Sequence, residues 1–396
     1  MKIPVALLLL AVMSLPALAQ RERCGTAEPG PPPGPFPPSD CGYWTNNPQP
    51  EYEPSFYFSI PVVFHVIMHQ NGDGYLSPTT LQDQIDILNE DFRAIAGSAG
   101  APGTNGRIRF HLATTDPNGT PTTGITYSTN NAWYVDSGNY WTSLHWDTHR
   151  YMNIYTNAPP CCFGYVSGFP SEGIAGRADD RVVLWWEAVG REPTSGWPLN
   201  QGRTATHEAG HYLGCYHTFC GGCGSDSDCY GTGDLICDTN GEKKATIGCP
   251  SSKSSCGSPD PFHNYMDYTD DGCLWEFTPE QVNRMRCTLE HWRPDLATRS
   301  DLALDVNQNA VVDGDTLTLT TCGGIPGGLS LLVNVEVNGS PYFVQLDLGP
   351  FDGLGCRSFG GPVSAVFAGI IASFKTFGFY ELGELGVSNQ ATVIFQ

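Results

Sequence analysis

Thr206–Phe219 reads THEAGHYLGCYHTF, and the rest of the chain is organised around this stretch. On a helix, His207 and His211 stand four residues apart on one face, so two imidazoles converge on a single ion with Glu208 beside them. Leu213 ends the helical pattern. Gly214 follows, a residue able to take the left-handed conformation that stops a helix and redirects the chain. The turn brings back His217 as a third ligand. Three neutral imidazoles with one open tetrahedral position describe catalytic zinc, since a structural site would be closed by a fourth protein ligand. HExxH alone also arises by chance on a core helix. The fixed offsets of Gly214 and His217 extend it to HExxHxxGxxH and favour the metal.

The chain has 396 residues, room for two domains, with 20 basic against 41 acidic side chains and a net charge of −21. That balance argues against nucleic acid or an anionic membrane as partner and is compatible with bound calcium. Residues 1–19 read as a signal peptide: Lys2, an apolar run from Val5 to Val12, and Ala17-Leu18-Ala19 as the cleavage site. The expected location is extracellular. No segment is apolar for long enough to span a bilayer. Fifteen cysteines in an exported chain read as a disulfide framework with one thiol left over.

Residues 20–57 form a proline-rich pro-segment or linker, extended and without a core, and order is expected to begin at Phe58. FSIPVVFHVIM is a central-strand run. Ser77-Pro78 opens a helix whose Leu81, Ile85, Leu88 and Phe92 share one face. Ile108–Leu112, Tyr151–Tyr155 and Arg181–Trp186 read as strands, which gives an α/β domain with a twisted mixed sheet over residues 58–298. The adjacent Cys161 and Cys162 are expected to find separate partners. Residues 220–262 are rich in cysteine, glycine and serine and need staples or ions to hold a shape. Asp234, Asp238 and Thr239 offer the hard oxygens calcium prefers, or else form a solvated acidic turn. Thr278-Pro279 caps a last helix.

From 299 to 396 the helical signal gives way to LTLTT, SLLVNVEV, YFVQLDL, VSAVFAGIIASF and ATVIFQ, strand runs of a β-sandwich-like module with Cys322 and Cys356 as its expected bridge. Asn338-Gly339 matches a glycosylation acceptor but is better explained as a hairpin turn.

HEAGHYLGCYHTF, followed in order by GGC, GDLICDT, GCP, HNYMDY and FTPEQVNRM, resembles the pappalysin family of metzincin zinc metallopeptidases, and within it the small secreted microbial members related to ulilysin. The similarity spans roughly residues 58–295. It implies a metzincin fold, peptide hydrolysis, and protein or peptide substrates. It also implies a Met-turn at Met266, which the residue alone would make simply core, and a tyrosine at Tyr268 whose hydroxyl helps stabilise the tetrahedral intermediate. The resemblance further implies calcium in the cysteine-rich segment and the disulfides Cys249–Cys273 and Cys256 with Cys223 or Cys229. Relatives favour a basic residue just after the scissile bond, a pocket that Asp270 and Asp271 are placed to line.

The expected chemistry is zinc-activated water, with Glu208 as general base and then acid. Arg23-Cys24-Gly25 resembles a cysteine switch, in which a thiolate fills the open metal position until the pro-segment is cut. Setting Cys24 aside leaves fourteen cysteines for seven bridges. A Cys24–Cys41 disulfide is the rival. Two other functions remain in play: a catalytically silent binding protein with structural zinc, and a zinc exopeptidase. Intact Glu208 argues against the first.

Overall fold

The computed structural model describes residues 21–29, 41–42, 47–191, 198–353, 355–381 and 384–396. The expected signal peptide and most of the proline run lie outside the described residues.

An eight-stranded mixed sheet is built on β2 (Tyr57–Met68), whose twelve residues are almost wholly buried. On β2 lie β3 (Ile108–Leu112), β4 (Ile125–Thr129) and β5 (Met152–Asn157), all parallel to it. Next to β5 runs β7 (Val182–Trp185), parallel, and then β6 (Cys162–Val166), antiparallel to β7. The outermost strand is β1 (Glu22–Cys24), parallel to β6. Order therefore does not begin at Phe58. Residues of the expected extended pro-segment complete the sheet, because β6 offers an unpaired edge that an extended chain satisfies. Residues 47–56 are also docked. Cys41 is bridged to Cys287, and Asn283 donates to the Gln49 carbonyl.

Helix α1 (Pro78–Phe92) starts where Ser77 accepts from the Thr80 amide, with proline in the first turn. Its apolar face packs with Val62, Phe64 and Phe110 in the main core. Two short helices, α2 (Asn131–Tyr134) and α3 (Trp141–Leu144), precede β5. Helix α4 (Arg203–Tyr212) is fully buried against β6 and β7 and carries the histidine motif. Helix α5 (Pro279–His291) begins in a capping box of Thr278 and Gln281. One buried carboxylate ties these elements together. Asp91 at the end of α1 accepts from Arg203 Nη2 at 3.0 Å, Thr206 Oγ1 at 2.6 Å and the Tyr265 hydroxyl at 2.8 Å.

A small hairpin pairs β8 (Ser254–Ser255) with β9 (Ser258–Pro259), and β10 (Thr298–Ser300) adds antiparallel to the start of β2. The C-terminal region packs one sheet of β11 (Ala303–Val306), β13 (Thr316–Cys322) and β16 (Cys356–Pro362) on a second sheet. The second comprises β12 (Ala310–Val311), β14 (Leu329–Val337), β15 (Ser340–Pro350), β17 (Ile371–Glu381), β18 (Glu384–Val387) and β19 (Ala391–Phe395). Leu304, Leu319, Leu332 and Leu348 form its core. Asn338 and Gly339 both have positive φ in the tight β14–β15 turn. VSAVFAGIIASF is not one strand: Ser364 caps a short 3-10 helix, Ala365–Phe367, before β17 begins. Between β11 on one side and the main sheet and α1 on the other, Asp305 is held by both Arg93 and Arg109.

Among the described residues no helix is long and apolar enough to cross a membrane.

Candidate metal centre and substrate cleft

The Nε2 atoms of His207, His211 and His217 lie 3.0 to 3.2 Å from one another. Each ring turns its other nitrogen to an acceptor: His207 Nδ1 to the Tyr265 carbonyl at 2.7 Å, His211 Nδ1 to the Cys215 carbonyl at 2.8 Å, and His217 Nδ1 to Glu28 Oε1 at 2.7 Å. Donation from Nδ1 fixes the tautomer and leaves three lone pairs facing one another, an arrangement that fits a cation and nothing else. Burial, then the neighbouring imidazoles, hold His207 and His211 well below the usual histidine range, so both are neutral donors. Gly214, at φ +93°, makes the turn that returns His217.

The fourth member of the cluster is Cys24. Its Sγ and the three imidazole nitrogens lie within 4.8 Å of one another, and all four residues are buried. The Cys24–Cys41 disulfide does not form, since Cys41 pairs with Cys287. Burial, then the Glu208 carboxylate, push the thiol well above its ordinary range in the absence of a cation.

Glu208 is fully buried, and burial raises its carboxyl to about 8. Its Oε2 accepts from Thr26 Oγ1 at 3.0 Å, and the same hydroxyl accepts from the Val166 amide at 2.9 Å. Beneath the cluster, Met266 Sδ fills the space where a Cβ on Gly210 would stand, 2.4 Å away, so the glycine inside the motif makes room for the sulfur. Gly164 plays a similar part on β6: a Cβ there would lie 2.8 Å from Glu208 Cγ. The Tyr268 ring is 5.0 Å from that of His217, and its hydroxyl donates to the Cys24 carbonyl at 3.4 Å.

Of the two aspartates after Met266, only Asp271 meets a cation. Its Oδ1 is 3.0 Å from Arg23 Nη2, and its Oδ2 accepts from the Gln201 and Arg203 amides. Asp270 makes no ion pair among the described residues. In the cysteine-rich segment a cavity of about 290 Å³ is lined by Asp234 and Thr239 but not by Asp238, which instead accepts from the Glu280 amide. Burial raises Asp234 to about 7.

The disulfides are Cys41–Cys287, Cys161–Cys162, Cys223–Cys256, Cys229–Cys237, Cys249–Cys273 and Cys322–Cys356. Two expectations are corrected. Cys161 and Cys162 pair with each other, beside Gly25. There are three free thiols rather than one, because Cys215 is enclosed under α5 and Cys220 faces Glu28. Thr26, Glu28, Gly164 and Asp91 were missed by sequence reasoning. Glycine and the short spacing from Cys24 were the only signals, and neither points to a partner across the fold.

Comparison with known proteins follows this geometry. The family model for M43 peptidases, described as pregnancy-associated plasma protein-A, matches residues 136–290. An extracellular metalloprotease of Pyricularia oryzae is 36% identical over 59% of this chain and 76% of its own length. Extracellular metalloprotease 1 of Coccidioides posadasii is 32% identical over 74% of this chain and 99% of its own. Among solved structures, mature mirolysin of Tannerella forsythia in complex with a cleaved peptide is 34% identical, with TM-score 0.53 over 62% of this chain and all of the other. A promirolysin mutant from the same organism gives 33% and 0.54, over 62% of this chain and 85% of that one.

Proposed function

We propose, from the premise that this chain belongs to the M43 pappalysin family of zinc metalloendopeptidases, that it is a secreted enzyme held latent by its own residues 21–28. The observation that carries the reading is the convergence of three imidazole nitrogens beside a buried carboxylate. A zinc ion held by His207, His211 and His217 would supply a Lewis acid that acidifies water and polarises a carbonyl.

The chain's own groups do the rest. Glu208 takes a proton from the attacking water and returns it to the leaving amine. Tyr268 donates its hydroxyl toward the oxygen that gains charge. Met266 is the apolar floor under the histidines. The edge of β6 holds the peptide extended. Residues 21–28 run past the histidines on both sides, which favours internal cleavage over removal of terminal residues.

Latency rests on the same contacts. Cys24 occupies the open position, and Thr26 engages the base. Arg23 in the Asp271 pocket favours a basic substrate residue just after the scissile bond, with Asp270 outside that pocket. Calcium in the Asp234–Thr239 cavity stiffens the cysteine-rich segment. Residues 58–298 form the catalytic unit and 299–396 the β-module.

The test combines chelation and mutation on casein, with the cuts located by mass spectrometry. Phenanthroline abolishes cleavage, zinc restores it, and Glu208→Ala lowers it by about a hundredfold or more while the protein stays folded. Undiminished cleavage by the variant, or release of terminal residues alone, would discard the reading.

A further inference from the structure

Residues 21–24 carry two basic side chains in the cleft, not one. Arg23 enters the Asp271 pocket, where its Nη1 also donates to the Thr269 carbonyl at 2.8 Å. Two residues earlier, Arg21 lays its guanidinium over the Trp185 ring, 4.4 Å from the centroid, and donates through Nη1 to the Pro159 carbonyl. Burial lowers the Arg21 pKa, and the charge of Glu187 works the other way. Glu22, between them, is exposed.

This is the alternation of an extended strand, in which residues two apart share a side. Trp185 is itself 93% buried, its relative exposure being 7%, and is wedged among Phe163, Ala188 and Leu199, so its ring is a fixed platform. An aromatic face and a carbonyl oxygen together make a site for a cation.

We propose that Trp185 and the Pro159 carbonyl form a second basic subsite, so that preferred substrates carry Arg or Lys at both the first and the third residue after the scissile bond. The inference rests on the protease reading and on residues 21–24 lying where substrate lies. It applies to a substrate that runs against the pro-segment, which lies parallel to β6, so that the residues after the bond fall on the Asp271 side. Counted outward from the histidines on the Asp271 side, the order is Asp271 pocket, one exposed residue, then Trp185. A substrate running against the pro-segment meets the same order.

The first arm of the test uses four quenched-fluorescence peptides with Arg-Xaa-Arg, Arg-Xaa-Ala, Ala-Xaa-Arg or Ala-Xaa-Ala after the bond, given to the processed protein. Arg-Xaa-Arg should exceed Arg-Xaa-Ala in kcat/KM by about 3- to 30-fold, the range of a cation over an aromatic ring. Trp185→Leu should shrink that ratio toward one. Equal rates for the two peptides would overturn the subsite.

The second arm needs no activity. In the full-length chain the Glu22 amide donates to the Cys161 carbonyl at 3.1 Å. Arg21→Ala and Trp185→Leu should each speed its hydrogen exchange several-fold, and unchanged exchange in both would also overturn the proposal. Should no peptide be cut at all, the protease reading fails by itself, and the exchange arm still decides whether Trp185 holds a cation.

Discussion

Thr26 Oγ1 stands 3.0 Å from Glu208 Oε2 and at the same time accepts the Val166 amide. A hydroxyl two residues from Cys24 thus engages both Glu208 and the edge of β6. Latency as proposed would rest on two separable contacts, Cys24 among the histidines and Thr26 on Glu208. Cys24→Ala is expected to give a precursor that autolyses several-fold faster. Thr26→Val should do so to a lesser degree, and the double variant should be the fastest. The time course of precursor conversion on a gel measures this. A double variant as latent as the parent would assign inhibition to other contacts.

Gly164 leaves the space beside Glu208, the proposed general base, that a Cβ would fill. Gly164→Ala places a methyl group 2.8 Å from Glu208 Cγ and 2.9 Å from Thr204 Cγ2, a clash inside a buried layer. Overpacking of this kind costs about 1–3 kcal/mol, relieved here by moving the carboxylate. The expected result is a fall of about tenfold or more in kcat with the full complement of zinc retained. Unaltered kcat in a folded variant would show that the base tolerates displacement.

Calcium addition to chelator-treated protein should raise the melting temperature through Asp234. That carboxyl is raised to about 7 by burial, a cost that a divalent cation would offset. Asp234→Asn should cancel the calcium-dependent shift, whereas Asp238→Asn should not, because Asp238 faces α5. Calorimetry with and without calcium separates the two.

His65 is buried between Thr126 and Asn153 and stacked on Tyr155, and burial lowers its pKa from 6.5 to about 4. The folded state prefers the neutral ring. Its contribution is therefore present above the unfolded pKa and is lost as pH falls from about 6.5 through about 4. At most this amounts to roughly 3 kcal/mol. Urea midpoints taken across that window should decline with acid, and His65→Gln should flatten the slope. An equal slope in the variant would place the acid sensitivity in the carboxylates.

The histidine motif was legible because its geometry is local: i, i+4 spacing and one left-handed glycine suffice. Helix caps at Ser77 and Thr278 were legible for the same reason. What stayed hidden was set by distant pairing. Arg23 and Asp271 are 248 positions apart, and nothing near either one announces the other. The Cys161–Cys162 pair defied a rule about neighbours because the choice of partner depends on which thiols the fold brings close. In the β-module, CRSFGGP escaped notice since glycines erase its alternation. VSAVFAGIIASF was read as one strand because hydrophobicity alone does not reveal the turn capped by Ser364.

Strand β1 closes the margin of the sheet through β6, and activation as proposed would remove it. The processed molecule would then present bare main-chain donors and acceptors beside a reactive centre, a surface as ready to stick to a sister molecule as to a substrate. Excision would be best delayed until dilution outside the cell, and the short leader would act as a sheath against self-adhesion during export as well as a plug.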